Sequence, residues 1–160
     1  MNPCPQGYDC DLRGNCQCSP ELQRRYRSRL SAPLLDRIDL HIDVPRVPRE
    51  TLRTQTGQAS ETSQTVRARV MAARQRQLTR QGKTNAQLLT RELEQHCVLT
   101  EQDHALFDQA ITRFKLSARA YHRILKVART IADLEGSERI GTKHLSEAIS
   151  YRSLERLMSS

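Results

Sequence analysis

The chain has 160 residues, of which 37% are hydrophobic and 4% aromatic, with no tryptophan. Such a composition favours packed helices over a β-sandwich. No run approaches the ~18 apolar residues of a membrane helix and no signal peptide is recognisable, so we expect a cytoplasmic protein without membrane contact. The formal charge of +8 indicates a polyanionic partner such as nucleic acid or nucleotide phosphate, or alternatively a solvated basic surface.

The N-terminal segment is a cysteine-rich loop. Cys4, Cys10, Cys16 and Cys18 could surround one Zn²⁺ with four thiolates, and in a cytosolic chain such clustering is more typical of metal ligation than of disulfides. The spacing is not the usual pair of C-x₂-C motifs, so reduced thiols and an oxidised disulfide remain open. Cys97 lies in an apolar context and is predicted to be a core residue.

A short helix and a strand are predicted next. Ser19 is a typical N-cap and Pro20 suits the first helical position, while Pro33 interrupts the pattern. Residues 34–38 predict one further helical turn. Residues 40–44 alternate between apolar and polar side chains, which predicts a half-buried strand.

The chain is expected to divide into three parts. Residues 1–45 contain too little apolar material for a core of their own, so we interpret them as the tail end of a larger α/β domain. Residues 46–60, rich in Thr and Gln, are predicted to be a linker, and residues 61–160 a helical domain.

Apolar periodicity and capping residues predict five helices in that domain. The first covers residues 62–81, and Gly82 and Gly136 are expected to end the first and the fourth. The expected starts are Thr62, Asn85, Thr100, Ser117 and Thr142. The predicted fold class is mainly α: the C-terminal part of an α/β domain followed by an all-α bundle.

Two separated stretches resemble one known family. The first begins with MNPCP at residues 1–5 and ends with RLSAPLLDRIDLHIDV at residues 29–44, and the second is LSARAYHRILKVARTIADLEG at residues 116–136. They resemble the magnesium-chelatase-like AAA+ ATPases of the competence protein ComM/YifB family, and the resemblance covers nearly the whole chain. It implies the end of an AAA+ core followed by the helical lid.

The resemblance implies roles for three residues in ATP hydrolysis. Asn2 matches sensor 1, which orients the attacking water, and Arg119 matches sensor 2 of the lid. Arg37 matches the arginine finger, which reaches the nucleotide of a neighbouring subunit. Phosphoryl transfer needs rigidly held positive charge, and a guanidinium can bond two phosphate oxygens at once.

Each of these residues also has a simpler interpretation. Asn2 could be a turn residue and Arg119 an exposed helical residue. Arg37 could form only a surface ion pair with Asp36, Asp39 or Asp43. The apolar residues on both sides of Arg37 favour a fixed backbone that aims its side chain.

The 160 residues lack the motifs that hold ATP phosphates. Gly82-Lys83-Thr84 copies the end of the P-loop motif, but Gln77 stands where the motif requires its first glycine, and the stretch joins two helices. No acidic Walker B strand is present. We therefore expect the C-terminal part of a longer protein that uses ATP and Mg²⁺, and no ATP hydrolysis by this part alone.

The first long helix is strongly basic, with no acidic residue between positions 62 and 83. Clustered cations of this kind suit contact with the DNA backbone; a solvated face and packing against a neighbouring subunit are the alternatives. The candidate DNA-binding residues are Arg67, Arg69, Arg74, Arg76 and Arg80.

Three functions remain open from the sequence. The resemblance implies a ring-forming ATPase, expected as a hexamer of its own copies, that acts on DNA as a helicase driving branch migration in natural transformation and recombination. The second is a chelatase-type motor that remodels a protein partner. The third is a non-enzymatic helical binding module that carries a zinc knuckle.

Overall fold

A computed structural model describes residues 4–7, 18–42, 44, 61–114 and 116–152 of the chain. These residues are mainly α-helical, as predicted, and no β-strand is assigned among them. None of the helices in these ranges combines the length and the apolar character required to cross a membrane. The predicted linker lies outside the described residues.

The N-terminal region contains two short helices. Helix α1 covers Pro20–Arg27, and its predicted N-cap is confirmed because the Ser19 hydroxyl accepts a hydrogen bond from the Leu22 amide at 3.3 Å. Helix α2 covers Ala32–Leu35. Leu35 is buried, whereas α1 has no buried residue. The core of the described structure therefore lies elsewhere.

The strand predicted over residues 40–44 is not found in its described positions. Ile42 and Val44 remain 63% and 82% exposed. A strand is held by backbone hydrogen bonds to neighbouring strands, and the described residues include no strand for it to pair with. The His41 amide instead donates to the Tyr151 carbonyl at 2.8 Å, near the end of the described chain.

The rest of the described chain is a helical bundle with a single 3₁₀ turn at Asn85–Gln87. Its α-helices are α3 (Ser63–Gln81), α4 (Thr90–His96), α5 (Glu101–Phe114), α6 (Ala118–Glu135) and α7 (Thr142–Ser150).

Local capping explains most of these boundaries, as predicted. The Thr62 and Ser117 hydroxyls accept hydrogen bonds from backbone amides in the first turns of α3 and α6. Thr100 does the same for the Asp103 amide at 3.2 Å. Gly82 and Gly136 follow α3 and α6 with φ angles of 70° and 84°, the left-handed region that glycine enters without strain.

The prediction that Asn85 caps an α-helix is wrong. Asn85 lies inside the 3₁₀ turn and is 1% exposed, and α4 begins only at Thr90. Its side chain bonds Thr130 and Asp133 of α6. Asparagine is a common N-cap residue, but the Asn85 side chain is used here for tertiary contacts with α6.

Helix α6 lies at the centre of the bundle and packs against α3, α4, α7 and the 3₁₀ turn. The rings of Phe107 and Tyr121 stack at a centroid distance of 4.5 Å. Cys97 is a core residue, as predicted, and burial raises the pKa of its thiol to about 11. The buried core comprises Leu88, Leu93, Cys97, Leu99, Phe107, Ile124, Leu125, Ala128, Ile140, Leu145 and Ala148.

Candidate functional site

Arg37 lies in the loop of residues 36–39, which directly follows α2. Its amide donates to the Leu34 carbonyl at 3.0 Å, and the Ile38 amide donates to the Leu35 carbonyl at 3.0 Å. Leu35 is 5% exposed, but Leu34 is 45% exposed. Leu35 therefore anchors the loop, and the exposed Leu34 does not.

The Arg37 side chain is exposed. Its Nη1 atom donates to the Pro33 carbonyl at 2.9 Å, one turn back in the chain. The guanidinium is therefore accessible to a second molecule, at the cost of one exposed hydrogen bond.

The 36–39 loop is attached to the first two turns of α6. The Ser117 hydroxyl donates to Asp36 Oδ1 at 2.8 Å while it caps α6. Arg123 Nη1 donates to Asp39 Oδ1 at 2.6 Å and also to the Arg37 carbonyl. Side chains of α6 thus bond the residue before Arg37, Arg37 itself and the second residue after it.

These contacts bear on the ion pairs considered for Arg37. Among the described residues, Asp36 and Asp39 bond side chains of α6 and not the Arg37 guanidinium. Asp43 lies outside the described residues. The two carboxylates nearest in sequence therefore orient the loop.

Arg119 lies in the first turn of α6, between Ser117 and Arg123. It is exposed, and no hydrogen bond or ion pair of its guanidinium occurs within the described structure. A cation is mildly unfavourable at a helix N-terminus, so an anion bound there would relieve the repulsion. The structure brings Arg119 and the loop of Arg37 to the same end of α6, whereas Asn2 lies outside the described residues.

A buried polar cluster lies towards the other end of α6, around Asp133. Arg80 donates to both carboxylate oxygens of Asp133, at 2.6 and 2.9 Å. Asn85 Nδ2 donates to it at 2.8 Å, and Arg129 Nη2 lies 3.0 Å from it. Arg76 donates to the Asp133 backbone carbonyl at 2.8 Å. These contacts join α3 and the 3₁₀ turn to α6.

The pKa values in this cluster follow from burial and charge pairing. Burial alone would raise the pKa of Asp133, but hydrogen bonds from Arg80 and Asn85 and the charge of Arg129 outweigh it and lower the pKa. The hydrogen bond to Asp133 raises the pKa of Arg80. Asp133 is therefore an ionised partner of two arginines at neutral pH.

The predicted DNA-binding arginines have different environments. Arg76 and Arg80 bond Asp133, so they hold α3 on α6. Arg69 forms an exposed ion pair with Glu61 at 2.7 Å. Arg67 and Arg74 are exposed, with no ion pair to another described residue, and lie seven positions apart on one side of α3.

The predicted zinc ligands are only partly described. Cys4 and Cys18 are both buried, and their Sγ atoms lie 3.5 Å apart. Cys10 and Cys16 lie outside the described residues. Within the described ranges, no group of three or more His, Cys, Asp or Glu residues is placed to hold a metal ion. The zinc site is thus unsupported here and stays a prediction.

Sequence analysis assigned no role to Arg123 or Asp133. Arg123 lies one turn after Arg119 on the same helix, and this spacing is a signal that both face one side. Asp133 lies between apolar Ala132 and Leu134 in α6, four residues after Arg129, a pattern that indicates a buried ion pair. The Asp39 partner of Arg123 and the Arg80 partner of Asp133 lie tens of residues away in sequence.

Two family profiles match the chain. One, described as magnesium chelatase, subunit ChlI, covers residues 1–52, and the other, described as magnesium chelatase, subunit ChlI C-terminal, covers residues 60–152. The chain belongs to the magnesium chelatase ChlI family. The C-terminal domain of this family is the helical lid of AAA+ proteins, so α3–α7 are the lid. The contacts of Asp36, Arg37 and Asp39 with α6 join the two matched regions.

Curated relatives agree with this assignment. Competence protein ComM of Haemophilus influenzae is 46% identical over 158 residues, which are 99% of this chain and 30% of that protein. The uncharacterized protein YifB of Salmonella typhimurium is 45% identical over 99% of this chain and 31% of its own length. An uncharacterized Mycobacterium tuberculosis protein is 32% identical over 94% of this chain. The chain spans about three tenths of the length of ComM and YifB.

Proposed function

We propose that the protein carrying this chain is a cytoplasmic AAA+ ATPase that uses ATP and Mg²⁺. It assembles with other copies into a hexameric ring and drives branch migration of DNA in natural transformation and recombination. Its membership of the ChlI family and its 46% identity to a competence protein support this proposal. In it, Arg37 is the arginine finger, Arg119 is sensor 2 and Asn2 is sensor 1.

The observation that carries the proposal is the environment of Arg37. Its guanidinium is exposed, while its backbone is bonded to α2 and α6 and its loop is anchored by buried Leu35. A cation that stabilises phosphoryl transfer must be accessible to the phosphate and rigidly positioned. Arg37 combines the two requirements, and a neighbouring subunit would supply the nucleotide.

Arg119 supports the same proposal. Its exposed guanidinium lies where the dipole of an 18-residue helix is positive. A nucleotide phosphate would neutralise both charges, and backbone amides at a helix N-terminus also favour anions. Arg37 and Arg119 thus offer two cations near one end of α6.

Substitution of Arg37 in the full-length protein, numbered as here, tests the proposal. We expect Arg37→Ala to lower the kcat of ATP hydrolysis by about 10³-fold, because removal of an arginine finger has an effect of that size. Arg29→Ala, which removes another exposed arginine of the same region, is the matched control and should retain activity. A normal rate for Arg37→Ala contradicts the finger assignment.

Mixing subunits tests whether Arg37 acts on a neighbour. Arg37→Ala subunits have an intact nucleotide site, and subunits with an inactivated P-loop have an intact Arg37. Under the proposal, a ring of either kind of subunit alone is inactive. A mixed ring contains interfaces at which an intact Arg37 from one subunit meets an intact nucleotide site of the other, so ATPase activity should return on mixing. No recovery in rings shown to be mixed argues that Arg37 acts within its own subunit.

A further inference from the structure

We propose that Arg123 is a positioning residue that couples the arginine finger to the lid of the same subunit. By bonding the Arg37 carbonyl and the Asp39 carboxylate, it makes the placement of the Arg37 side chain follow the position of α6. This inference rests on the proposed function, in which Arg37 reaches the nucleotide of a neighbouring subunit.

Arg123 is suited to this role because one nitrogen atom makes both contacts. Its Nη1 atom bonds the main chain at Arg37 and, at 2.6 Å, the side chain of Asp39. The Arg123 side chain is 25% exposed and that of Asp39 is 55% exposed. An exposed ion pair of this kind contributes little to stability, so its main effect is on the orientation of the loop.

The helix that carries Arg123 is well packed. Ala120 and Ile124, on either side of it in the same part of α6, are 0% and 1% exposed. The Asp133 cluster fixes the later turns of α6 to α3. The guanidinium therefore extends from a well-packed element onto a loop that lacks regular structure of its own.

Two tethers bracket Arg37. Ser117 bonds Asp36 on one side and Arg123 bonds Asp39 on the other. Other attachments of this segment include buried Leu35 and the hydrogen bond from the His41 amide to the Tyr151 carbonyl. The two tethers therefore fix the backbone on both sides of Arg37, from which its side chain extends.

The coupling also links two proposed phosphate contacts. Arg119 is one helical turn before Arg123, so a phosphate bound at Arg119 biases the position of the same two turns of α6 that hold the loop. A ligand that shifts α6 then shifts Arg37, and by linkage the engagement of Arg37 biases α6 to the same extent. The state of one nucleotide site is thereby transmitted to the neighbouring site.

Steady-state ATPase kinetics of the full-length protein test the inference. We expect Arg123→Ala to lower kcat by about 10–100-fold, since displacement of a catalytic group by about 1 Å can cost 10²-fold, while KM for ATP stays unchanged. Arg123→Lys should recover most of the rate, because a lysine ammonium can donate to both oxygens. A normal kcat for Arg123→Ala, or an equally impaired Arg123→Lys, would overturn the inference.

Controls separate positioning from folding. Lys126→Ala changes the next charged residue of α6, which bonds the Ala86 carbonyl and not the loop, and should leave kcat unchanged. Thermal unfolding and ring assembly are measured for every variant. A loss of kcat in Arg123→Ala that merely tracks a loss of folded or assembled protein contradicts a positioning role.

A double-mutant cycle distinguishes this inference from the proposed function. If Arg123 acts through Arg37, the double variant should be no slower than Arg37→Ala alone, because the interaction has already been removed. Additive losses contradict the coupling. An Arg37→Ala variant with normal activity would refute the proposed function itself, whereas a slow Arg37→Ala with a normal Arg123→Ala refutes only this inference.

Discussion

At the scale of single residues, Asp133 shows how one buried carboxylate joins two helices. Its side chain is 1% exposed and that of Arg129 is 2% exposed. The buried Arg129 charge therefore depends on Asp133, and the Asp133 charge depends on Arg129 and Arg80. Because the pKa of Asp133 in the folded state lies below its ordinary value of 3.8, these pairs stabilise the fold fully at neutral pH. That contribution is lost as the pH falls below 3.8 and through the lowered pKa of Asp133, where the carboxylate takes up a proton.

Removal of Asp133 is predicted to be strongly destabilising. We expect Asp133→Ala to lower the free energy of unfolding by about 3–5 kcal/mol, because it leaves a buried guanidinium without its counter-charge. Arg69→Ala is the matched control: it breaks the Glu61 pair, in which both side chains are about half exposed, and should cost less than about 1 kcal/mol. Urea unfolding followed by circular dichroism measures both, and similar losses would argue against the buried cluster.

At the scale of elements, the contacts of α3 with the other described helices lie in its C-terminal half. Its buried residues are Ala73 and Gln77, and every residue from 63 to 72 is exposed. Helix-favouring residues and the Thr62 cap support this projecting part. Gly82 follows the last residue of α3, and Gly136 follows the last residue of α6. Both glycines have the positive φ angle of the left-handed region.

The two glycines are predicted to differ in their tolerance of a methyl group. A Cβ at Gly82 would meet no atom within 4 Å, so Gly82→Ala should cost only the backbone strain of about 1–2 kcal/mol. A Cβ at Gly136 would lie 3.3 Å from Arg76 Nη2, and movement of Arg76 would weaken its bond to the Asp133 carbonyl. We therefore expect Gly136→Ala to be the less stable variant in thermal unfolding; the reverse order would contradict this packing.

At the scale of the whole molecule, the net charge is +8, but several of the arginines that contribute to it are bonded within the chain and are not available to a partner. Arg76 and Arg80 bond Asp133 and support the fold, and Arg123 bonds the 36–39 loop. Arg67 and Arg74 are exposed on one side of α3. The proposal of DNA as a partner, in preference to a protein substrate, therefore relies on that side of α3.

Charge reversal on α3 tests the DNA partner. We expect the double variant Arg67→Glu, Arg74→Glu of the full-length protein to bind branched DNA more weakly, with a salt slope of log K reduced by about 2, because each lost phosphate contact removes about 0.9. Arg91→Glu, Arg139→Glu makes the same change of charge at two other exposed arginines and should retain the slope. Gel shifts at several salt concentrations measure this, and an unchanged salt slope for the Arg67/Arg74 variant would contradict DNA contact on this side of α3.

Signals contained in a few neighbouring residues predicted the local structure well. Thr62 with Gly82, and Ser117 with Gly136, indicated α3 and α6 correctly, because a cap and a left-handed glycine act on the backbone next to them. The strand over residues 40–44 was not predictable in the same way, since a strand depends on the presence of a partner. The role of Asn85 likewise depends on a distant partner, because its side chain bonds Asp133 of α6 and does not cap a helix.

The sequence by itself determined that this protein is mainly helical, where α3 and α6 begin and end, and which family it belongs to, because these properties depend on short-range patterns and on motifs. Only the tertiary structure decided which charges are available. It engages Arg76 and Arg80 with Asp133, and it brings Asp36 and Asp39 to α6 across separations of 81 and 84 residues. A side chain's partner depends on which elements pack together. In a chain with so many arginines, the sequence alone is compatible with many different ion pairs.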